Sequence, residues 1–266
     1  MRTVLFAFIV LAALVFALVA GGVHVVTNFV RENTLTLGET ETLRRVITAE
    51  DVEQLNVAIE IGVGELTVTA TDGPDAFSAV LTDNVVELSP TVEYGVEAGT
   101  GVIAVRPDGP LGLPAVDGFE DALFDWDIEL GQSPPISLTV EMGVGTAFIN
   151  LAGAPITDFV MDLGVGDALI DLRGARTHPL TAEISGGTGR LVVLLPVDTA
   201  IYAETAVAIG GVETTGLQHA SDGNDEWIND AYGQGETMIR LEVDMGMGDI
   251  ELIATDDPDV GVELLE

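Results

Sequence analysis

The sequence predicts an all-β fold built as a stack, a β-solenoid, and three observations carry that prediction. One phrase recurs at a near-constant spacing, each copy alternates apolar and polar residues, and each is broken near its centre by Gly-x-Gly. Leu138–Leu151 reads LTVEMGVGTAFINL, Phe159–Leu172 reads FVMDLGVGDALIDL, and Leu180–Leu195 reads LTAEISGGTGRLVVLL. Ile59–Val68 and Leu241–Leu252 repeat the phrase on either side, and Val207–Thr215 is a degenerate copy with Ala208 in place of the first glycine. The first motif position falls at Gly62, Gly143, Gly164, Gly187, Ala208 and Gly246, and the middle four are 21, 23 and 21 residues apart. A period of that length marks units that close their core only against their neighbours.

The alternation assigns the faces. After each break, Ala147, Ile149 and Leu151 correspond to Ala168, Ile170 and Leu172 and to Leu191, Val193 and Leu195, and a period of two puts each trio on one side of a strand. Leu138, Val140 and Met142 form a second inward row before the break, matched by Phe159, Met161 and Leu163. The glycine pairs Gly62 and Gly64, Gly143 and Gly145, Gly164 and Gly166, Gly187 and Gly189, and Gly246 and Gly248 are expected where the chain turns between two sheet faces. Positive φ and close approach between layers favour a residue without Cβ there.

An apolar strand, G-[VM]-G-[DET] and a second apolar strand, repeated behind an N-terminal apolar segment, resembles the bacterial toastrack domain. That family includes the C-terminal region of LiaF-like cell-wall-active antibiotic response proteins and lies near adhesin-like β-solenoids. The resemblance covers Leu55 to Ala254 and includes DEWINDAYGQGETMIRLEV, the approach to the last copy. It implies a single-stranded right-handed β-helix outside the membrane and a setting in envelope-stress sensing. The membrane part departs from the pattern: LiaF-like proteins carry several helices, and this chain has room for one.

Taken in order, the chain opens with Arg2 and an apolar run from Val4 to Val26. Its 23 residues are about enough to cross ~30 Å of hydrocarbon as a helix, whereas a cleaved signal peptide has a core of roughly 7–15 residues. Residues 1–26 therefore read as a transmembrane signal anchor with a cytoplasmic N-terminus. Ala20-Gly21-Gly22 keeps open cleavage and secretion. Either way the repeats lie outside the cytoplasmic membrane, on a single-pass protein in the first case.

Residues 27–50 read as a polar connector whose Arg31, Arg44 and Arg45 pair with nearby acids, with a short strand around Thr34–Leu37. The solenoid spans residues 51–255. From Gly62 to Gly143 the spacing lapses for 81 residues, yet Phe77–Leu81, Val92–Val96 and Gly101–Val105 still alternate as strands. Pro107–Pro135 is an insertion rich in Pro and Gly, with a short helix at Phe119–Leu123 and a strand at Trp126–Leu130. Phe119, Phe124 and Trp126 would cap the stack, since an open solenoid end exposes backbone and apolar surface; the sharper alternative is a ligand lid. A second insertion runs from Gln218 to Gln234, and residues 256–266 form a mobile acidic tail.

Composition excludes several functions. The chain has no Cys, so disulfides, thiol catalysis and Cys metal sites are ruled out. Its nine basic residues, all Arg, face 44 acids, for a formal charge of −35, which repels nucleic acid and anionic lipid. Salt adaptation and a GC-rich genome compete with cation binding as the cause of this acidity. His24 sits in the apolar segment, and neither His178 nor His219 has a recognisable site around it. With no G-x-S-x-G and no H-E-x-x-H, the chain reads as a non-enzyme without a cofactor.

Binding is the better reading. Asp222, Asp225, Glu226 and Asp230, with Asn224 and Asn229, are oxygen donors of a kind suited to Ca²⁺, although the spacing departs from an EF-hand loop and a solvated acidic turn is the plainer account. Thr146, Asp167 and Arg190, with Glu65 and Asp249 in the outer units, should form a ladder in which Asp167 faces Arg190. Phe148, Leu169 and Val192 stack outward where polar residues are expected. Either the Pro107–Pro135 insertion covers them, or they form a partner surface. The function that follows is a membrane-anchored extracytoplasmic interaction domain for an envelope protein or polymer, with a Ca²⁺-dependent adhesin or cell-surface structural protein as the alternative.

Overall fold

The computed structural model describes residues 36–50, 52–108, 122–220, 225–234 and 238–261. The N-terminal apolar segment, Asp222, Asn224 and most of Phe119–Leu123 lie outside them. Among the described residues no helix is long and apolar enough to cross a membrane.

Thirteen strands follow one another: β1 (Leu37–Ile47), β2 (Gln54–Ala70), β3 (Phe77–Val85), β4 (Pro90–Glu97), β5 (Thr100–Pro107), β6 (Phe124–Leu130), β7 (Ile136–Asn150), β8 (Ile156–Asp171), β9 (Leu180–Leu195), β10 (Ile201–Thr215), β11 (Gln218–His219), β12 (Glu226–Ile228) and β13 (Ile239–Ala254). All six copies of the phrase become long strands, β2, β7, β8, β9, β10 and β13. Each runs without interruption through its Gly-x-Gly, which is a corner within a strand rather than a break between two. In β7 the buried positions are even before the glycines (Leu138, Val140, Met142) and odd after them (Ala147, Ile149). That change of parity lets both arms of one strand feed a single core, and the buried residues of both arms do form one cluster.

The two glycines of each corner do different jobs. The second adopts positive φ, +142° at Gly166, where a β-branched residue is strained. The first does not, which corrects the expectation of positive φ at both. At Gly164 an added Cβ would instead land on the carbonyl oxygen of Gly143 in the layer below. Gly62, in the end layer β2, has nothing within 4 Å of that position. Ala208 takes the same first position in the other end layer, where it is exposed.

The long strands are parallel, in the order β2-β7-β8-β9-β13-β10. The last copy in sequence is thus drawn in between β9 and β10, and the step of 21 residues from Gly187 to Ala208 does not connect neighbours. The arms of β2 separate at one end of the stack. The first arm pairs with β5, which forms an antiparallel hairpin with β4. The second pairs with β6, followed by β3 and β1. The lapse in the repeat is therefore filled by hairpins and antiparallel strands that close this end, with Trp126 of β6 fully buried. Over its described part the connector is instead strand: β1 runs for eleven residues, and Arg44 and Arg45 make no ion pair among the described residues, while Arg31 lies outside them. At the far end β12 covers only the first arm of β10.

Candidate interaction surfaces

The predicted outward row exists. Phe148, Leu169 and Val192 are in register on β7, β8 and β9. Leu169 and Val192 are buried with Leu194 in a second apolar cluster, against which Phe148, Ile253 and Val260 pack. Among the described residues the cover comes from the C-terminal strap, residues 255–261, and residues 109–121 of the Pro107–Pro135 insertion lie outside them. Val260 lies on the cluster, and a Cβ at Gly261 would meet Leu194 Cδ1 at 2.8 Å. The Thr255 N–H donates to Leu195 O, and Arg173 Nη1 donates to Asp257 O at 2.6 Å. The tail expected to be mobile is thus fixed as far as Gly261.

A different row is partly bare, with Val63 and Val144 half-buried and Thr188 interrupting its apolar residues. The middle residue of each Gly-x-Gly stands at the corner, and the ladder aligns Val63, Val144, Val165, Thr188, Met247 and Ile209 along the whole stack. Val165 and Met247 are each 49% exposed and Ile209 is 62% exposed. Acids predominate on both sides of this ridge: Glu60, Glu141, Asp162 and Asp244 with Ser185 before the corner, and Glu65, Asp167 and Asp249 with Thr146 and Arg190 after it. Further along the first arm Glu183, Glu242 and Glu204 are direct ladder neighbours. Desolvation, then Asp244, Glu183 and Glu204, raises the pKa of Glu242; desolvation, then Glu204, raises that of Asp244.

The expected charge ladder forms, with different partners. Asp167 Oδ1 accepts the backbone N–H of Arg190 at 2.9 Å, and Asp249 Oδ1 accepts that of Gly211 at 3.1 Å. The aspartate after the corner therefore tethers the adjoining layer. The Arg190 guanidinium turns instead to Glu251, 2.8 Å away, because β13 rather than β10 adjoins β9.

Of the calcium candidates, Asp222 lies outside the described residues, and the others form no cluster among those described. Asp225 and Asp230 are exposed, Glu226 lies on β12, and among the described residues no group of three or more His, Asp or Glu could hold a metal ion. Asn229 is buried and fully used by the fold. Its Oδ1 accepts the Ile201 N–H, while Nδ2 donates to Val197 O and Thr199 O.

A feature absent from the sequence reading lies where the second arms end. A cavity of about 670 Å³ is bounded by the β8–β9 loop, residues 196–199 and the strap. Asp171, only 6% exposed, is gripped there by Arg173 through Nε and Nη2, the latter 2.7 Å away. Arg176 also lines it, without a carboxylate. Its Nη1 and Nη2 donate to Ile156 O at 3.4 Å and Leu172 O at 3.2 Å, and its buried Nε has no partner. Burial lowers its pKa to about 10.

With the fold and these surfaces described, the comparisons place the chain. The family model described as the N-terminal domain of toast_rack, DUF2154, matches residues 36–194, from just before β1 to the end of β9. That is more than half of the chain, and the protein belongs to the toast-rack family. A "putative cell adhesion protein" from Clostridium sporogenes is similar at 19% identity and a TM-score of 0.76, with 82% of this chain and 100% of that one covered. At that identity the likeness establishes the shared fold. A "putative adhesin" from Bacteroides fragilis aligns over 80% of this chain and 97% of its own, at 12% identity and a TM-score of 0.30. No curated protein matches.

Proposed function

We propose that this protein is a non-catalytic interaction domain of the cell envelope, held at the membrane by its N-terminal apolar segment and receiving a partner along the corner ridge. The observation that carries the reading is the ridge itself. Apolar side chains stand bare on a laddered scaffold whose other outward apolar row is covered, and soluble proteins rarely leave such a stripe unused. The two acid rows beside it favour a partner with basic residues flanking an apolar seam. On this reading the rack winds as a right-handed single-stranded solenoid outside the membrane, and a role in envelope-stress sensing would work through occupancy of the ridge.

The test is cross-linking and capture from native membranes with the full chain as bait. Wild type should recover a defined envelope protein that is lost from a folded Val165→Asp/Met247→Asp variant. Equal recovery by both would remove the ridge as the docking surface. Protease protection of the tagged N-terminus in sealed cells tests the anchor separately.

A further inference from the structure

The cavity at the ends of the second arms carries an inference independent of the ridge. The chain has 44 acids for nine arginines, so a cation has no shortage of carboxylates. Among the described residues Arg106, Arg173, Arg190 and Arg240 each sit on a carboxylate, and Arg44 and Arg45 stand exposed to water. Arg176 is the exception, a guanidinium largely withdrawn from solvent with only backbone carbonyls as partners. Taking a charge out of water without a counter-charge is unfavourable, and strongly perturbed groups in a cleft cluster at functional sites.

The rest of the lining qualifies what the counter-charge would be. Asp171 is already neutralised by Arg173, so the nearest acid does not compete for Arg176. Asp198, Thr199, Thr255 and Asp256 complete the polar part of the wall. Asp198 and Asp256 are exposed and would repel a bare anion, but carboxylate and threonine oxygens accept hydrogen bonds from hydroxyls. A ligand that satisfies both halves carries an oxyanion on a hydroxyl-bearing body. We propose that this cavity binds the acidic group of a sugar or polyol, carboxylate or phosphate, on Arg176, with its hydroxyls on the Asp198, Thr199 and Asp256 side. The guanidinium fork suits either oxyanion.

The experiment uses the full chain in detergent and follows its melting temperature in sodium glucuronate, glycerol 3-phosphate or inorganic phosphate, against sodium chloride at matched ionic strength. A glucuronate or glycerol 3-phosphate response should raise the wild-type melting temperature by about 2–4 °C near 20 mM probe, and which of the two responds identifies the oxyanion. The rise should vanish in Arg176→Gln and persist in Arg106→Gln, a distant and exposed control. An equal rise in Arg176→Gln, no rise with either hydroxylated probe, or a response to inorganic phosphate alone would overturn the proposal. Should Arg176→Gln fail to fold, the Nε–H resonance of Arg176 in the wild-type protein decides. It should move and saturate on titration with the responding probe, and a stationary resonance would overturn the site.

Discussion

Two apolar rows run outward across the same ladder, and they meet opposite fates. Leu169 and Val192 are buried beneath residues that arrive from the end of the chain, whereas Val165, four residues before Leu169 on β8, stays half in water with Met247 and Ile209 of β13 and β10. Local pattern does not separate them, because each is an apolar residue on an outward position of a parallel ladder. The electrostatics do. Beside the covered row the one buried acid, Asp171, is gripped by Arg173, and that arginine also holds the strap. Toward the bare ridge the acids face one another, and Glu242 and Asp244 titrate above the usual carboxylate range because of burial and like charge. One face is finished as core; the other crowds its acids, and among the described residues only Glu204 of the first-arm glutamates there has an arginine partner, Arg240.

The largest expected effect breaks the comparison at its covered side. Leu194 is 1% exposed on the outward face, and Leu194→Asp would bury a charge with no partner, at a cost of about 3–5 kcal/mol. Denaturant unfolding should show a matching fall in midpoint. A change below about 1 kcal/mol would mean that the strap does not hold this row as core.

Val260→Asp sharpens the same point from the strap. It places a carboxylate against Leu169 and Leu194 but can swing toward solvent, so the expected loss is smaller, about 1–2 kcal/mol. Increased binding of an apolar dye should accompany it. An unchanged melting temperature and no dye signal would argue that the strap rests on the cluster without covering it.

The repeat, the inward rows and the corner glycines were legible because each depends on a few neighbouring residues: period-2 alternation and a position that excludes Cβ. Three features were not. The placement of β13 beside β9 leaves no mark in the spacing, since parallel neighbours need not be consecutive in sequence; the ion pair of Arg190 was misassigned for the same reason. The strap sequence TDDPDVG reads as solvated tail, and the single apolar residue that docks it, Val260, is too little signal. Arg176 lies in a loop with no motif around it, and its importance rests on burial, which the sequence does not display. Asn229 looked like a cation ligand because the loop around it is acidic, yet its amide spans three backbone groups.

Acidity tests the bare side. A carboxylate whose folded pKa lies above its unfolded value binds protons more readily in the folded state. Its unfavourable contribution is therefore relieved below the unfolded pKa and grows as pH rises through the folded one. For Glu242 and Asp244, lowering the pH from neutral toward their ordinary values of 4.5 and 3.8 should raise stability. The gain is modest, under about 1 kcal/mol, because solvent screens these partly exposed groups. Raising salt at pH 7 should act in the same direction, and Glu242→Gln should flatten the pH response. A stability that falls over this interval would show that favourable ion pairs outweigh the crowded ladder.

The smallest effect is the most informative about the ridge. Val165→Asp and Met247→Asp, singly, should change stability by no more than about 0.5 kcal/mol, as surface substitutions do, against the several kcal/mol expected at Leu194. Val165→Asp also places a fourth acid beside Glu141, Asp162 and Asp167, so any small loss should shrink in high salt. A cost above about 2 kcal/mol that salt does not relieve would mean that the corner residue packs against part of this chain, and the two rows would then differ in degree rather than in kind. Near-neutral stability would leave the row as surface that folding does not require, and it is on such a row that loss of a captured partner can be read as loss of binding.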